Sequence, residues 1–188
     1  VVLLNKASLE HHKQPLTNIV FMGMGEPLLN YDNVLAGIAK ITGEDGLHIS
    51  AKRITVSTAG LAKMIRKLAD DQVKFNLALS LHAADDIKRS KLMPINEANN
   101  LNDLVKALNY FHDKTGNRIT FEYILFDGIN ESMEDAKNLV ALCSKVPARV
   151  NIIEYNTIRK ADVHKSKEDQ REKFIAYLET HRVVAKVR

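Results

Sequence analysis

Asn18-Ile19-Val20-Phe21-Met22-Gly23 and the run from Tyr31 to Ile41 that follows it decide the fold class of this 188-residue chain. The first is an apolar stretch of strand length closed by a glycine. The second sets Val34, Leu35, Ile38 and Ile41 at intervals of three and four, which is one face of a helix. The same strand-then-helix order returns at Arg53 to Ser57 with Leu61 to Ala69, and at Phe75 to Ser80 with a short helix opened by Asp85 and Asp86. A helix over Leu101 to Phe111 then precedes a strand over Ile119 to Ile124. A helix over Met133 to Leu142 precedes a strand over Val150 to Tyr155, and a helix over Lys167 to Leu178 precedes a last strand over Val183 to Val187. Strands separated by helix-length crossovers pair in parallel, so the class is α/β. The order by itself fits both a doubly wound sheet and a partial barrel.

Composition narrows the function. With 45% hydrophobic residues the chain can bury the core of one domain. No apolar run reaches the roughly 18 to 20 residues of a membrane helix, and the chain reads as soluble and cytoplasmic with no membrane partner. The single cysteine, Cys143, excludes an internal disulfide framework and a cysteine-only metal cage. A formal net charge of +4 favours approach to an anionic polymer without demanding it. The chain opens without Met and closes on Val187-Arg188, so it is expected to be part of a longer polypeptide.

Small and polar residues collect where the strands end. Gly23-Met24-Gly25-Glu26-Pro27 follows the first strand, Ser57-Thr58-Ala59-Gly60 the second, Ser80-Leu81-His82 the third and Asn156-Thr157 the fifth. In a βα-barrel these ends share one face and converge on one pocket. Each residue also has a plainer reading. The glycines suit a tight turn and are a poor dinucleotide fingerprint, because Pro27 follows and no third glycine opens the helix. Glu26 fits a solvated loop or an ammonium partner. Ser57 and Ser80 fit helix caps, Glu122 can alternate outward from its strand, and Asn156 can be an ordinary loop residue. Cys143 lies in an apolar helical pattern with Leu139 and Leu142, as an inert core thiol does. His82 has no second ligand at metal spacing, and neighbouring His11 and His12 cannot share a ligand direction on a helix. No metal-ligating and no catalytic residue is expected in the chain.

The strings themselves carry more. The run from Asn18 to Asn30, Ile54-Thr55-Val56-Ser57-Thr58-Ala59-Gly60, Leu77-Ala78-Leu79-Ser80-Leu81-His82-Ala83, Met93-Pro94-Ile95-Asn96 and the run from Arg149 to Asn156 occur in this order along the chain. Together they resemble the radical-SAM family that methylates adenine C2 in 23S ribosomal RNA and transfer RNA. The resemblance implies a truncated, parallel (β/α)6 partial barrel over residues 1–188, with the first barrel strand and cluster loop upstream and a C-terminal segment downstream. It implies S-adenosylmethionine and a 4Fe–4S cluster as cofactors, RNA as substrate and an external one-electron reductant such as flavodoxin. Residues matching the family's S-adenosylmethionine contacts are Gly25, Glu26, Ser57, Ser80, Leu81, His82 and Asn156.

The departures matter as much. Family members carry a CxxxCxxC motif for the cluster and a later cysteine that accepts a methyl group, attacks adenine and yields the product through a methyl-cysteine intermediate. This chain has neither, and Cys143 matches neither position. The chain alone is therefore expected to be inactive, and its open barrel edge is expected to favour self-association. A sister activity at adenine C8 and a non-catalytic RNA-binding scaffold are the competing expectations.

Overall fold

The apolar run at residues 18–22 forms strand β1 (Ile19–Phe21), and the amphipathic run behind it forms helix α2 (Tyr31–Thr42). A computed structural model describes residues 1–156 and 163–188. Ahead of β1 lies α1 (Val2–His12), which carries His11 and His12 and buries no residue. After α2 come β2 (Ile54–Thr58), α3 (Ala62–Asp70), β3 (Asn76–Ser80), α4 (Asp86–Leu92), α5 (Leu101–Thr115) and β4 (Ile119–Ile124). They are followed by α6 (Met133–Cys143), β5 (Ala148–Ile153), α7 (Glu168–Thr180) and β6 (Ala185–Val187).

Local chemistry sets several of these boundaries. Asp85 caps α4 by accepting from Lys88 N at 2.9 Å, and Asn100 caps α5 by accepting from Asp103 N at 3.0 Å. Ser132 and Asp135 form a reciprocal capping box on α6. β5 begins two residues earlier than the apolar run at 150–155 suggests and stops at Ile153. Its span is set by β4, since Ala148 pairs with Ile119 and Ile153 with Ile124.

The six strands form one parallel sheet in the order β1-β2-β3-β4-β5-β6. That order resolves the ambiguity left by periodicity. A doubly wound sheet reverses its strand order at a switch point, which puts helices on both faces. Strands that always step the same way, joined by right-handed crossovers, put the crossover helices on one face and curl the sheet as in a barrel. In agreement, α3 packs on α5 and α6 packs on α7. Three strands separate β1 from β5, yet Met22 beyond β1 and Asn156 beyond β5 line one cavity, which requires that curl.

Alternation along each strand divides the sheet into two chemically different faces. Ile54, Val56, Leu77, Leu79, Ile119, Phe121, Tyr123, Val150 and Ile152 lie under the helices and are essentially inaccessible. They pack against Ile65 and Leu68 of α3, Leu104, Leu108 and Phe111 of α5, Leu139 of α6 and Phe174 of α7. The opposite face, inside the curl, carries Thr55, Ser57, Asn76, Ser80, Thr120, Glu122, Arg149 and Asn151. The register aligns these in rows, with Ser80 beside Glu122 and Glu122 beside Asn151. Helix packing therefore stabilises the fold, while the concave face keeps polar side chains.

Candidate functional site

The concave face ends in two neighbouring cavities at the carboxyl ends of the strands. One of about 100 Å³ is lined by Gly25, Ser57 and Ser80 among others, and one of about 460 Å³ is lined by Glu122, Asn156 and Arg188 among others. Met22 borders both. Four of the seven sequence-derived candidates, Gly25, Ser57, Ser80 and Asn156, thus meet from four strand ends, although they are spread over more than 130 positions of chain, while Glu26, Leu81 and His82 line neither cavity.

Each candidate has a definite setting. Gly25 has φ +94, a conformation that glycine adopts without strain, and no atom lies near the position its Cβ would take. The backbone there is bare toward the cavity. Glu26 accepts from Leu28 N at 3.0 Å and from Ala59 N at 2.6 Å, so it ties the loop after β1 to the loop after β2. It is not the freely solvated residue of the plainer reading. Each of its oxygens holds one N–H and keeps a second acceptor direction for a ligand. The hydroxyls of Ser57 and Ser80 lie 3.5 Å apart on adjacent strands. Neither caps a helix, because Leu61 and Asp85 occupy those cap positions.

The remaining three differ in kind. The Leu81 side chain is buried in the hydrophobic core, its N–H donates to Glu122 O at 2.9 Å, and its carbonyl accepts from Arg89 Nε at 3.2 Å. Leu81 therefore faces away from the cavities and holds the strand end in place. His82 turns the chain at φ +55. Its Nδ1 accepts from Ile124 N at 3.2 Å, which puts the ring proton on Nε2. Burial, and then the nearby Arg89 charge, push its pKa down to about 4, so the ring is neutral. Asn156 is exposed, three residues past the end of β5, and lines the larger cavity. Thr157 lies outside the described residues.

The structure adds residues that periodicity did not single out. Arg89 is fully buried and donates to neutral acceptors: Ala59 O at 2.7 Å, Ser80 O at 3.2 Å, Leu81 O at 3.2 Å and Asn96 Oδ1 at 2.7 Å. One guanidinium thereby ties the ends of β2 and β3 to the Met93-Pro94-Ile95-Asn96 motif. Asn96 in turn donates to the Asp86 carboxylate at 2.9 Å and to Ser90 Oγ at 2.9 Å. Asn130 braces the next strand end, donating to His82 O at 2.6 Å and Ile124 O at 2.7 Å. Glu122, allowed by alternation to point outward, is only 3% exposed and accepts from Asn151 Nδ2 at 2.8 Å. The sequence signal for Asn96 was present in the Met93-Pro94-Ile95-Asn96 motif, whereas Arg89 lies outside every quoted motif. None existed for the Glu122–Asn151 pair, whose members lie on different strands.

Among the described residues no group of three or more His, Cys, Asp or Glu side chains can hold a metal ion. Cys143 is half-buried against the core, and burial pushes its thiol up to about 12. It is the chain's one cysteine, so an iron–sulfur cluster does not fit the residues present. The cavities do fit a nucleoside with an amino acid tail. They offer bare backbone, a carboxylate with spare acceptor capacity, two hydroxyls and an amide.

The parallel one-way winding and the strand-end site define a class. The profile described as "Radical SAM superfamily" matches residues 3–140, and the chain belongs to that superfamily. The chain is 56% identical, over its whole length, to a Cytophaga hutchinsonii protein named "Probable dual-specificity RNA methyltransferase RlmN", of which it covers 52%. A Salinibacter ruber protein of the same name is 49% identical over 98% of the chain, which covers 51% of it. The crystal structure of a radical SAM methyltransferase from Sphaerobacter thermophilus superposes on all of this chain with a TM-score of 0.94 at 36% identity, 55% of that chain being covered. The chain spans about half the length of the curated relatives it matches.

Proposed function

We propose that this chain is the S-adenosylmethionine-binding barrel portion of a radical SAM methyltransferase acting on C2 of adenine in 23S ribosomal RNA and transfer RNA. The observation that carries the reading is the meeting of Gly25, Ser57, Ser80 and Asn156 at two adjoining cavities on the concave face. The names of the Cytophaga and Salinibacter relatives support RNA methylation as the activity. In this proposal residues 1–188 act as one barrel unit of a soluble cytoplasmic enzyme. The cluster cysteines and the methyl-carrying cysteine lie elsewhere in the polypeptide, flavodoxin or a similar protein supplies electrons, and the open β1 edge can pair between copies.

S-adenosylmethionine, when bound, supplies the methyl group and the radical chemistry that brings it to an unactivated ring carbon. The chain's own residues bind and orient it. The bare backbone at Gly25 and the free acceptor directions of Glu26 receive its ammonium group. Ser57, Ser80 and Asn156 hydrogen-bond its carboxylate, ribose or adenine. His82, neutral and protonated at Nε2, has a donor to offer the ligand or a neighbouring group. Leu81 sets the height of Ser80 and His82 through its backbone bonds to Glu122 and Arg89.

The test uses the full-length polypeptide, reconstituted with iron and sulfide in the absence of oxygen. It is expected to convert S-adenosylmethionine to 5′-deoxyadenosine and to leave 2-methyladenine in ribosomal and transfer RNA, read by mass mapping. An adenine modified at C8 refutes the regiochemistry. A protein that takes up no iron refutes the enzymatic reading altogether.

A further inference from the structure

Glu122 is the unexplained group on the concave face. Its side chain is more than nine-tenths buried, Oε1 accepts from Asn151 Nδ2 at 2.8 Å, and Oε2 has no hydrogen-bond partner among the described residues. A carboxylate oxygen left without a donor in a buried position is costly, on the order of 1–3 kcal/mol, and proteins retain such groups where something else completes them. The residue lines the larger cavity together with Asn156 and Arg188. It is also the register neighbour of Ser80, whose hydroxyl lies beside that of Ser57. Glu122 therefore sits on β4, within the curl between the bare backbone at Gly25 beyond β1 and the amide of Asn156 beyond the neighbouring β5.

We propose that Glu122 is a ligand-binding residue: its partnerless oxygen accepts a hydrogen bond from a ribose hydroxyl of the S-adenosyl nucleoside, and Asn151 fixes the carboxylate in that orientation. This rests on the reading of the cavities as an S-adenosylmethionine site. The ribose is favoured over the other donors of that molecule by position. The amino acid tail already has a carboxylate in Glu26 at the β1 end, and the ribose is the moiety that lies between tail and adenine. Chemistry agrees, since the adjoining serine hydroxyls and the carboxylate form a polar row suited to a vicinal diol.

The experiment measures equilibrium binding by calorimetry, without oxygen, to the cluster-loaded full-length protein. The ligands are S-adenosylhomocysteine and its 2′,3′-dideoxyribose analogue. Wild type is expected to prefer the first. Glu122→Met, similar in length but without an acceptor, is expected to weaken S-adenosylhomocysteine roughly tenfold or more and to leave the dideoxy analogue within about twofold. Glu122→Gln, which keeps a neutral acceptor, is expected to recover part of the loss. If Glu122→Met does not fold, Glu122→Gln carries the test and must still lose affinity for the ribose ligand selectively. Equal losses for both ligands, or no loss, overturn the proposal and leave the site reading standing. Wild type binding neither ligand overturns the site reading, and this inference with it.

Discussion

Lowering the pH from 7 to 4 should destabilise this protein through His82 in particular, and His82→Asn should remove that part of the response. Burial and the neighbouring Arg89 hold the folded-state pKa near 4, against 6.5 for a free imidazole. The hydrogen bond from Ile124 N to Nδ1 acts in the same direction, because protonating Nδ1 abolishes its acceptor. The neutral ring is the form the fold favours, so its stabilisation is full above pH 6.5. It is lost as the pH falls from 6.5 to about 4, where the unfolded chain binds a proton that the folded one resists. The depression corresponds to about 3 kcal/mol over that window. Asparagine is a suitable replacement because it tolerates the left-handed conformation that His82 adopts at φ +55. Asp71 and Glu154, both held below the usual carboxylate range by hydrogen bonds and nearby cations, also lose stabilisation in acid. Glu122, raised by burial, responds with the opposite sign. The informative quantity is therefore the difference between wild type and variant, from urea unfolding followed by circular dichroism at steps from pH 7 to 4. The wild-type stability should fall by about 3 kcal/mol more than that of the variant. A difference that stays constant across the range refutes the placement of a neutral, half-buried His82.

Arg89→Met strips the donors from three strand-end carbonyls and from Asn96. With about 1 kcal/mol for each acceptor, offset by the relief of a buried charge, it should cost about 3 kcal/mol in urea unfolding; a loss under about 0.5 kcal/mol refutes the bracing role. Gly60 has φ +109, and an added Cβ would lie 3.1 Å from both Leu104 and Leu79, so Gly60→Ala should destabilise by about 2 kcal/mol in the same assay. Ser80→Ala should weaken S-adenosylhomocysteine binding several-fold at unchanged melting temperature, and unchanged affinity counts against a site at the strand ends. Cys143, with its thiol pushed up to about 12, should resist iodoacetamide at pH 8 in the native protein and react once urea unfolds it. Rapid native labelling contradicts its placement against the core.

Much of this protein was legible in its residues alone. The three-and-four spacing at Val34, Leu35, Ile38 and Ile41, the glycine after Phe21-Met22 and the helix opening at Asp85-Asp86 are local features, and local features settle helices, strands and their sequence. The ordered motifs, read as a resemblance, then marked Gly25, Glu26, Ser57, Ser80, Leu81, His82 and Asn156. Tertiary structure decided what depends on pairing between distant segments. Strand order distinguished barrel winding from a doubly wound sheet, because both use the same alternation of elements and differ only in which strands become neighbours. Register set Ser80 beside Glu122 and Glu122 beside Asn151, turning a residue free to point outward into a buried acid with one oxygen to spare. Side-chain reach drew Arg89 under the ends of β2 and β3 and turned Leu81 into the core, distinctions that residue type and spacing cannot make because they depend on where the sheet curls.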